Sequence, residues 1–343
     1  MNCSASGRAA GLLVLACMAT PFANALTFNF SYSGSIDPQA LAGFQAAAAV
    51  YQNLFSDNIT VNLKIGFSNL GSSILGQSSS NFDVKSYASF LSAIQADKTS
   101  SNDVKAVAGL QTGSSFDYWT NRFSNNPNGA GSMAAYKTSA SYVELTYANA
   151  KALGLRGAQD PNLDGEITFN SAFGWDFDRT DGISSNQYDF IGIAIHEIGH
   201  SLGFVSGVDF VDYSNVTSVT DSYYAWVNPL DMFRFKVGLA DPYLCAGTEA
   251  KYFSLDKGLT GSSNLFSTGV NLGDGRQASH WKDNLGLGIM DPTVANGELL
   301  SITHLDILAF DVIGYNVQAV PEPASIAALA VGGLTVLFRR RKK

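Results

Sequence analysis

The sequence predicts an α+β fold in which a mixed, twisted β-sheet lies over one amphipathic helix near residue 195. Residues 58–67 alternate apolar and polar side chains, which is typical of a half-buried strand, and residues 164–170 form a second strand-like segment. Between Ile191 and Leu202, apolar residues recur at helical spacing and form one stripe. Strands that precede such a helix fit a sheet packed on that helix.

Three further helices and one mixed segment complete the predicted order of elements. Asp37 is a suitable N-cap with Pro38 at the first helical position, so a helix is expected from Asp37 to Ser56. Helical spacing also marks residues 85–94 and 300–313, whereas residues 139–155 begin as a strand and continue as an Ala-rich helix. The Ser-rich and Gly-rich stretches are expected to be loops; they are Ser78–Ser80, Ser100–Ser101 and Gly261–Ser263.

The helix near residue 195 carries the residues that a zinc hydrolase needs. His196, Glu197 and His200 form the pattern His-Glu-x-x-His, with Asp189 as the expected N-cap and Gly203 as the expected end. Residues four apart share a helix face, so the two imidazoles can bind one ion. Glu197 directly follows the first histidine and can act as general base on a water molecule. The pattern predicts a Zn²⁺ site and favours it over two buried histidines that bind only backbone carbonyls.

The residues alone leave the third zinc ligand open, although a catalytic zinc site commonly has three protein ligands. The contiguous metzincin pattern places it six residues after the second histidine. That position is Ser206, whose neutral hydroxyl is a poor ligand. Asp209 follows a turn that can fold it back, and His280 and His304 are the other candidates. His304 lies opposite the apolar stripe of residues 300–313, where we expect it to be solvated.

Residues 140–317 resemble the leishmanolysin-type metzincins. The resemblance rests on His-Glu-x-x-His-x-x-Gly-Phe at 196–204, a long insertion, Ser-His-Trp at 279–281, and Met290 with a proline just beyond. It implies a metzincin-like zincin fold with a less regular C-terminal lobe. It also implies His280 as the third ligand and Met290 as the residue of the methionine turn. The family's cysteine-rich framework is absent from this sequence, and no cysteine-switch propeptide is evident.

The function that follows is a secreted zinc-dependent endopeptidase, in which Glu197 activates a zinc-bound water to attack a protein or peptide substrate. The alternative is a metal-binding cell-surface or extracellular-matrix protein without proteolytic activity. Its support is an aromatic stretch that can contact carbohydrate or protein and includes Tyr213, Tyr223, Tyr224 and Trp226. Glu197 favours the enzyme, because structural zinc needs no base beside it.

Both ends of the chain carry signals for export. Residues 1–25 have a cation at Arg8, a short apolar run and the cleavage pattern Ala23-Asn24-Ala25, which are typical of a signal peptide. At the other end, residues 320–343 combine Val-Pro-Glu-Pro, an apolar run at 324–338 and five basic residues. This combination resembles the PEP-CTERM sorting signal of Gram-negative bacteria. The resemblance implies transient inner-membrane anchoring by a short transmembrane segment, processing by an exosortase, and release to the outer envelope or extracellular matrix.

Between these signals the sequence predicts one metalloprotease domain, 26–319, with an N-terminal lobe (26–204) and a C-terminal lobe (205–319). Residues 26–320 contain 15 Lys and Arg against 28 Asp and Glu, a net charge of −13, which argues against nucleic acid as a partner. Cys245 is the one cysteine outside the signal peptide, so a buried structural role without a disulfide is expected. The aspartates between 160 and 181 lack EF-hand spacing, so solvated loop acids are favoured over a calcium site.

Overall fold

The computed structural model of the 343-residue chain describes residues 26–124, 126–129, 131–217 and 227–318. The helices of this part are α1 (Pro38–Leu54), α2 (Tyr87–Asp97), α3 (Ser101–Gly109), α4 (Tyr147–Ala152), α5 (Phe190–Leu202), α6 (Val208–Thr217) and α7 (His304–Asp311), with a short 3₁₀ helix at Pro229–Phe233. The strands are β1 (Thr27–Ser31), β2 (Thr60–Ser68), β3 (Gly76–Ser80), β4 (Phe82–Ser86), β5 (Phe116–Thr120), β6 (Tyr136–Ala140), β7 (Tyr142–Thr146), β8 (Gly165–Asn170), β9 (Trp175–Asp176), β10 (Tyr188–Asp189), β11 (Arg234–Phe235), β12 (Tyr243–Leu244), β13 (Lys251–Phe253) and β14 (Leu265–Phe266).

The main sheet has four strands in the order β1-β2-β8-β3. Strands β1, β2 and β8 run parallel, and β3 is an antiparallel strand at one edge. Val61, Leu63 and Ile65 of β2 are buried while their neighbours are half-buried, which confirms the predicted alternation. Helices α1 and α5 pack against each other, and α5 contacts β3 and β8. The described chain is therefore mixed α+β, with a mixed sheet lying over α5.

The core between the sheet and the two helices is aromatic. Phe44 of α1 lies 5.2 Å from Phe190 of α5 and 5.1 Å from Phe169 of β8, measured between ring centroids. Tyr51 is fully buried and donates a hydrogen bond of 2.9 Å to the carbonyl of Ile195. Edge-to-face packing is favourable for the aromatic rings, and the buried hydroxyl of Tyr51 has a hydrogen-bond partner, so the core leaves no polar atom of these rings unpaired. These contacts fix α5 relative to the sheet.

The second half of the chain forms small sheets that interleave with the first half. Strands β11, β13 and β14 make one sheet, and β12 joins β5 and β6 in another. The second sheet therefore combines strands from both sides of the predicted lobe boundary at residues 204 and 205. After α7 the chain returns to α1, where the amide of Gln318 donates to the carbonyl of Leu54 at 2.8 Å. Backbone hydrogen bonds therefore connect the two predicted lobes.

The two ends of the described domain meet at Gln52 of α1. The side-chain amide of Gln52 donates to the carbonyl of Leu26 at 3.0 Å. The side-chain amide of Gln318 donates to the carbonyl of Gln52 at 3.2 Å. Residues 26 and 318 therefore lie on either side of one glutamine.

Several predicted elements are confirmed, and three expectations are wrong in part. Helix α1 is capped by Asp37 as predicted. The stretch Ser78–Ser80 lies in β3 instead of a loop, because pairing with β8 outweighs the weak strand preference of serine. Ser100 caps α3 through a capping box, so Ser101 is helical. Helix α7 begins at His304, four residues later than the apolar spacing predicted, because Thr303 is its N-cap.

Candidate metal centre

Helix α5 presents His196 and His200 on one face and buries the apolar stripe on the other. Asp189 caps it through the amide of Gly192, and Gly203 ends it with a left-handed φ of 117°. Both ends agree with the prediction, since an aspartate accepts the free amides of a first turn and glycine adopts positive φ without strain. Burial of the stripe fixes the rotation of the helix, and so the direction of both imidazoles.

The structure brings His280 to the two histidines of α5. The Nε2 atoms of His196 and His200 lie 3.0 Å apart, and Nε2 of His280 lies 3.2 Å from each of them. In the described part of the chain these three form the one group of at least three potential ligand side chains whose ligand atoms lie within 4.8 Å of one another. Segments 80 residues apart in sequence therefore converge on a single point.

The other ring nitrogen of each histidine faces a backbone carbonyl. Nδ1 of His196 lies 2.7 Å from the oxygen of Ile289, Nδ1 of His200 lies 2.8 Å from that of Phe204, and Nδ1 of His280 lies 3.2 Å from that of Gln277. A carbonyl only accepts, so each Nδ1 carries the proton and each Nε2 of a neutral ring is left with a lone pair. Three lone pairs then point at one another within 3.2 Å.

Burial keeps these rings neutral. It lowers the pKa of His196 to about 4 and that of His200 to about 3, the latter also through the neighbouring His196, and it lowers the pKa of His280 well below its ordinary value. A proton therefore does not bridge the three nitrogens at neutral pH. Converging lone pairs without a proton repel each other, and a cation between them removes that repulsion.

The donor set fits zinc. Zn²⁺ binds imidazole nitrogen at about 2.0–2.1 Å, and tetrahedral geometry then places two such nitrogens about 3.3 Å apart. The three observed separations of 3.0–3.2 Å are close to this value. Metal-binding histidines usually donate their other N–H to a carbonyl or carboxylate, as all three do here. The residues present thus match a three-histidine zinc site.

Glu197 directly follows His196 on α5, and its side chain lies against Gly76 of the edge strand β3. Its side chain is only 5% exposed, and burial raises its pKa to about 8. A Cβ atom added at Gly76 would stand 2.8 Å from Oε1 of Glu197, so a larger residue at this point of β3 would push the carboxylate aside. Gly76 was missed from the sequence, where its one signal is its position just before the Ser-rich stretch.

Met290 lies in a turn directly against α5. It is fully buried, and a Cβ atom added at Gly199 would stand 2.7 Å from its sulfur. Its carbonyl accepts from the amide of Trp281 at 2.9 Å, which ties the turn to the segment of His280. The neighbouring Ile289 supplies the carbonyl that faces His196. The turn thus supports two of the three imidazoles.

Asp306, at the start of α7, organises the same turn and was missed from the sequence. Its carboxylate is fully buried. It accepts from the indole nitrogen of Trp281 at 2.8 Å and from the amides of Ile289 at 2.9 Å and Thr303 at 2.7 Å. One buried acid therefore connects α7, the turn that holds Met290, and the residue after His280.

The other candidate ligands lie elsewhere or are engaged. His304 is exposed at the start of α7, as predicted. The carboxylate of Asp209 accepts from the amides of Ala278 at 2.5 Å and Ser279 at 3.1 Å. Ser206 donates its hydroxyl to Asp231 at 2.6 Å. Asp209 and Ser206 thus lie near the segment of His280, but their oxygens are bound to protein groups.

Two further expectations concern single residues. Cys245 is 1% exposed, which confirms its buried position, and burial raises the pKa of its thiol to about 12. Asp164 is not a solvated loop acid, because its side chain is fully buried in an ion pair of 2.6 Å with Lys151. Asp176 is also buried, at the end of β9, where it accepts from Ser184. Asp178, in contrast, is exposed and binds Thr180 within its own loop.

Comparison with known proteins identifies the C-terminal segment. A family model of the PEP-CTERM protein-sorting motif matches residues 319–342, which confirms that part of the sequence analysis. No curated protein and no solved structure matches the chain. The motif implies exosortase-type processing and export to the cell envelope or extracellular space of a Gram-negative bacterium.

Some predicted features lie outside the described residues. These are the signal peptide (1–25), the short transmembrane segment (324–338), and the aromatic residues Tyr223, Tyr224 and Trp226. Within the described ranges, no helix has the length and apolar character needed to span a membrane.

Proposed function

We propose that the exported domain is a zinc-dependent endopeptidase with a metzincin-like fold. His196, His200 and His280 are its zinc ligands, and Glu197 is its general base. The observation that supports this most directly is the convergence of three unprotonated Nε2 atoms within 3.2 Å, two of them on the helix that also carries the buried carboxylate of Glu197. A zinc site that only stabilises the fold or stores the metal needs the three ligands but no carboxylate beside them.

The chain's own groups then have separate tasks. The three Nδ1–H groups, anchored on carbonyls, hold the imidazoles in the ligating tautomer. Zinc held by these residues would polarise a carbonyl group, acidify water and favour the ionised form of a neighbouring carboxylate. Glu197, as that carboxylate, accepts a proton from the attacking water and passes it to the leaving amine.

The edge strand β3 gives a reason to expect a peptide substrate. Leu75 and Asn81, which flank β3, hydrogen-bond with β8 and the residue before it, so the odd-numbered residues of this stretch face β8. In antiparallel pairing the intervening residues direct their N–H and C=O groups to the opposite side. These residues are Gly76, Ser78 and Ser80. An extended peptide can add to such an edge as a further strand, and it would then run past Glu197.

The test is to measure zinc content and casein hydrolysis of the mature chain and of Glu197→Gln. We expect about one zinc per chain in both proteins and a loss of hydrolysis of about 10³-fold or more in the variant, because proton transfer by a positioned base contributes about 10²–10⁴-fold. Glu166→Gln is the matched control, since Glu166 lies on the neighbouring strand β8 in a solvent-exposed pair with Lys64.

Other results would point elsewhere. If the wild-type chain binds zinc but cleaves no peptide, the non-proteolytic metal-binding protein is correct. If the Gln variant cleaves casein at the wild-type rate, the role assigned to Glu197 is wrong. A wild-type chain that binds no zinc would reject the metal site itself.

A further inference from the structure

The third imidazole comes from an irregular stretch of chain, and its immediate support lies on α6. We define residues 277–280 as the His280 segment. We infer that Asp209 is a positioning residue that holds this segment so that Nε2 of His280 faces the two histidines of α5. The inference rests on the proposed metal site. It gives Asp209, which the sequence left as a possible ligand, a different role.

Asp209 binds the His280 segment with both carboxylate oxygens. Oδ1 accepts from the amide of Ala278 at 2.5 Å, and Oδ2 accepts from the amide of Ser279 at 3.1 Å. The hydroxyl of Ser279 also donates to Oδ2. Three donors on two consecutive residues thus bind one carboxylate, and the second of these residues directly precedes His280. Charge-assisted bonds of this kind are stronger than neutral ones and fix orientation.

A second group of buried residues holds the other side of the segment. Arg234 is fully buried and donates to the carbonyl of Ala278 at 2.6 Å. Its guanidinium lies 3.4 Å from Asp231, which accepts from the hydroxyl of Ser206. The amide of Ser206 donates to the hydroxyl oxygen of Ser279 at 3.0 Å. The position where a contiguous motif would carry its third ligand therefore helps to hold the distant one.

The consequence for His280 is geometric. The amide and carbonyl of Ala278, the amide and hydroxyl of Ser279, and the carbonyl of His280 all have partners outside the segment, the last being the amide of Ser267 at 3.0 Å. Without Asp209 three donors lose their acceptor and the segment gains conformational freedom, so binding a metal must restore the order. Loss of such supporting contacts typically lowers metal affinity by about 10–100-fold.

Asp212 offers a matched control on the same helix. It lies three residues after Asp209 on α6 and also binds loop backbone, accepting from the amides of Asn271 at 2.7 Å and Leu272 at 2.8 Å. It resembles Asp209 in residue type, helix and the kind of contact. The loop that it holds, however, carries no ligand. A general loss of stability should therefore affect both variants, whereas a loss of positioning should affect Asp209 alone.

The experiment uses the full mature chain and three variants, Asp209→Asn, Asp212→Asn and His280→Ala. Zinc affinity is measured by competition with a chromophoric chelator. The visible spectrum with Co²⁺ in place of zinc reports the ligand geometry, and thermal unfolding is followed without metal. We expect Asp209→Asn to weaken zinc binding about 10–100-fold and to alter the Co²⁺ spectrum. We expect Asp212→Asn to change zinc affinity less than about twofold. Its metal-free melting temperature should fall by about as much as that of Asp209→Asn.

The outcomes separate this inference from the proposed function. If wild-type chain binds zinc and His280→Ala weakens it, but Asp209→Asn binds as tightly as Asp212→Asn, the positioning role is wrong and the metal site stands. If His280→Ala binds zinc as tightly as wild type, both ideas fall. Should Asp209→Asn not fold, Ser279→Ala replaces it. That variant removes one donor to Asp209 and should still weaken zinc binding several-fold more than Asp212→Asn.

Discussion

Helix α5 and the segment around His280 both supply imidazoles to one centre, but different forces hold them. In α5 the positions of His196 and His200 follow from helical geometry, because residues four apart lie on one face and the opposite face is buried in an aromatic core. The His280 segment has no regular backbone pattern. Its position is fixed by hydrogen bonds to Asp209 and to fully buried Arg234. Asp306 adds a hydrogen bond to the neighbouring Trp281.

The two regions differ in the free energy that is needed to position a histidine. Burial of an apolar stripe stabilises the fold, so the same contacts that fold α5 also orient its two histidines. A buried carboxylate loses its hydrogen bonds to water, and hydrogen bonds from protein donors must replace them. Asp231 and Asp306 are both fully buried and each accepts several hydrogen bonds. His280 is therefore held by hydrogen bonds to buried acids, and removal of one such acid should lower stability sharply.

The largest effect is expected on the loop side, for Asp306→Ala. The substitution leaves the indole of Trp281 and the amides of Ile289 and Thr303 without their acceptor in a closed interior. We expect the free energy of unfolding of the metal-free chain to fall by about 3–5 kcal/mol, measured by urea denaturation. Asp178→Ala, in a loop where it binds only Thr180, is the control and should cost less than about 1 kcal/mol.

A smaller effect is expected on the helix side, for Gly199→Ala. The added Cβ would stand 2.7 Å from the sulfur of Met290 and 2.9 Å from the hydroxyl oxygen of Tyr51. Overpacking of this size lowers the free energy of unfolding by about 1–3 kcal/mol. The better helix propensity of alanine offsets up to about 1 kcal/mol of this loss. Gly66→Ala, where no atom lies within 4 Å of the new Cβ, is the control. A loss of stability larger than that of Asp306→Ala would contradict the comparison.

The smallest effect concerns Asp311, which lies on α7 like Asp306 but has fewer donors. Its Oδ2 accepts from Ser100 at 2.9 Å, while its Oδ1 has no hydrogen-bond partner among the described residues. Burial, and then the nearby charge of Asp103, raises the pKa of Asp311 to about 6. In the unfolded chain the pKa is about 3.9, so the folded state binds the proton more tightly. Wild-type stability contributed by this proton is complete below about pH 4 and is lost as the pH rises through about 6.

Asp311→Asn removes this ionisation. We expect the variant to be more stable than wild type by about 1 kcal/mol at pH 7.5, and the difference to disappear at about pH 4. Thermal unfolding at both pH values measures it. A variant that is less stable than wild type at pH 7.5 would show that the carboxylate of Asp311 is as well satisfied as that of Asp306.

The same contrast explains what could be predicted from the sequence. Local patterns identified α1, β2 and α5 with their caps, because periodicity and capping depend on neighbouring residues. The residues alone made His280 one of three candidate ligands. Only a family resemblance chose it and pointed to Met290, since nothing near them in sequence shows where the loop lies. Asp209 was considered as a ligand, and its contacts with Ala278 and Ser279, about 70 residues away, leave no local signal. The strand character of Ser78–Ser80 was hidden for the same reason, because it arises from pairing with β8.

The meeting of residues 26 and 318 on either side of Gln52 has a topological consequence. Because both ends bind the same glutamine, a short added linker can join them into a closed ring. Domains with adjacent ends generally tolerate circular permutation when the new opening is placed in an exposed turn. This fold can therefore be reopened at a surface loop far from the metal centre, or inserted as a whole into a host protein.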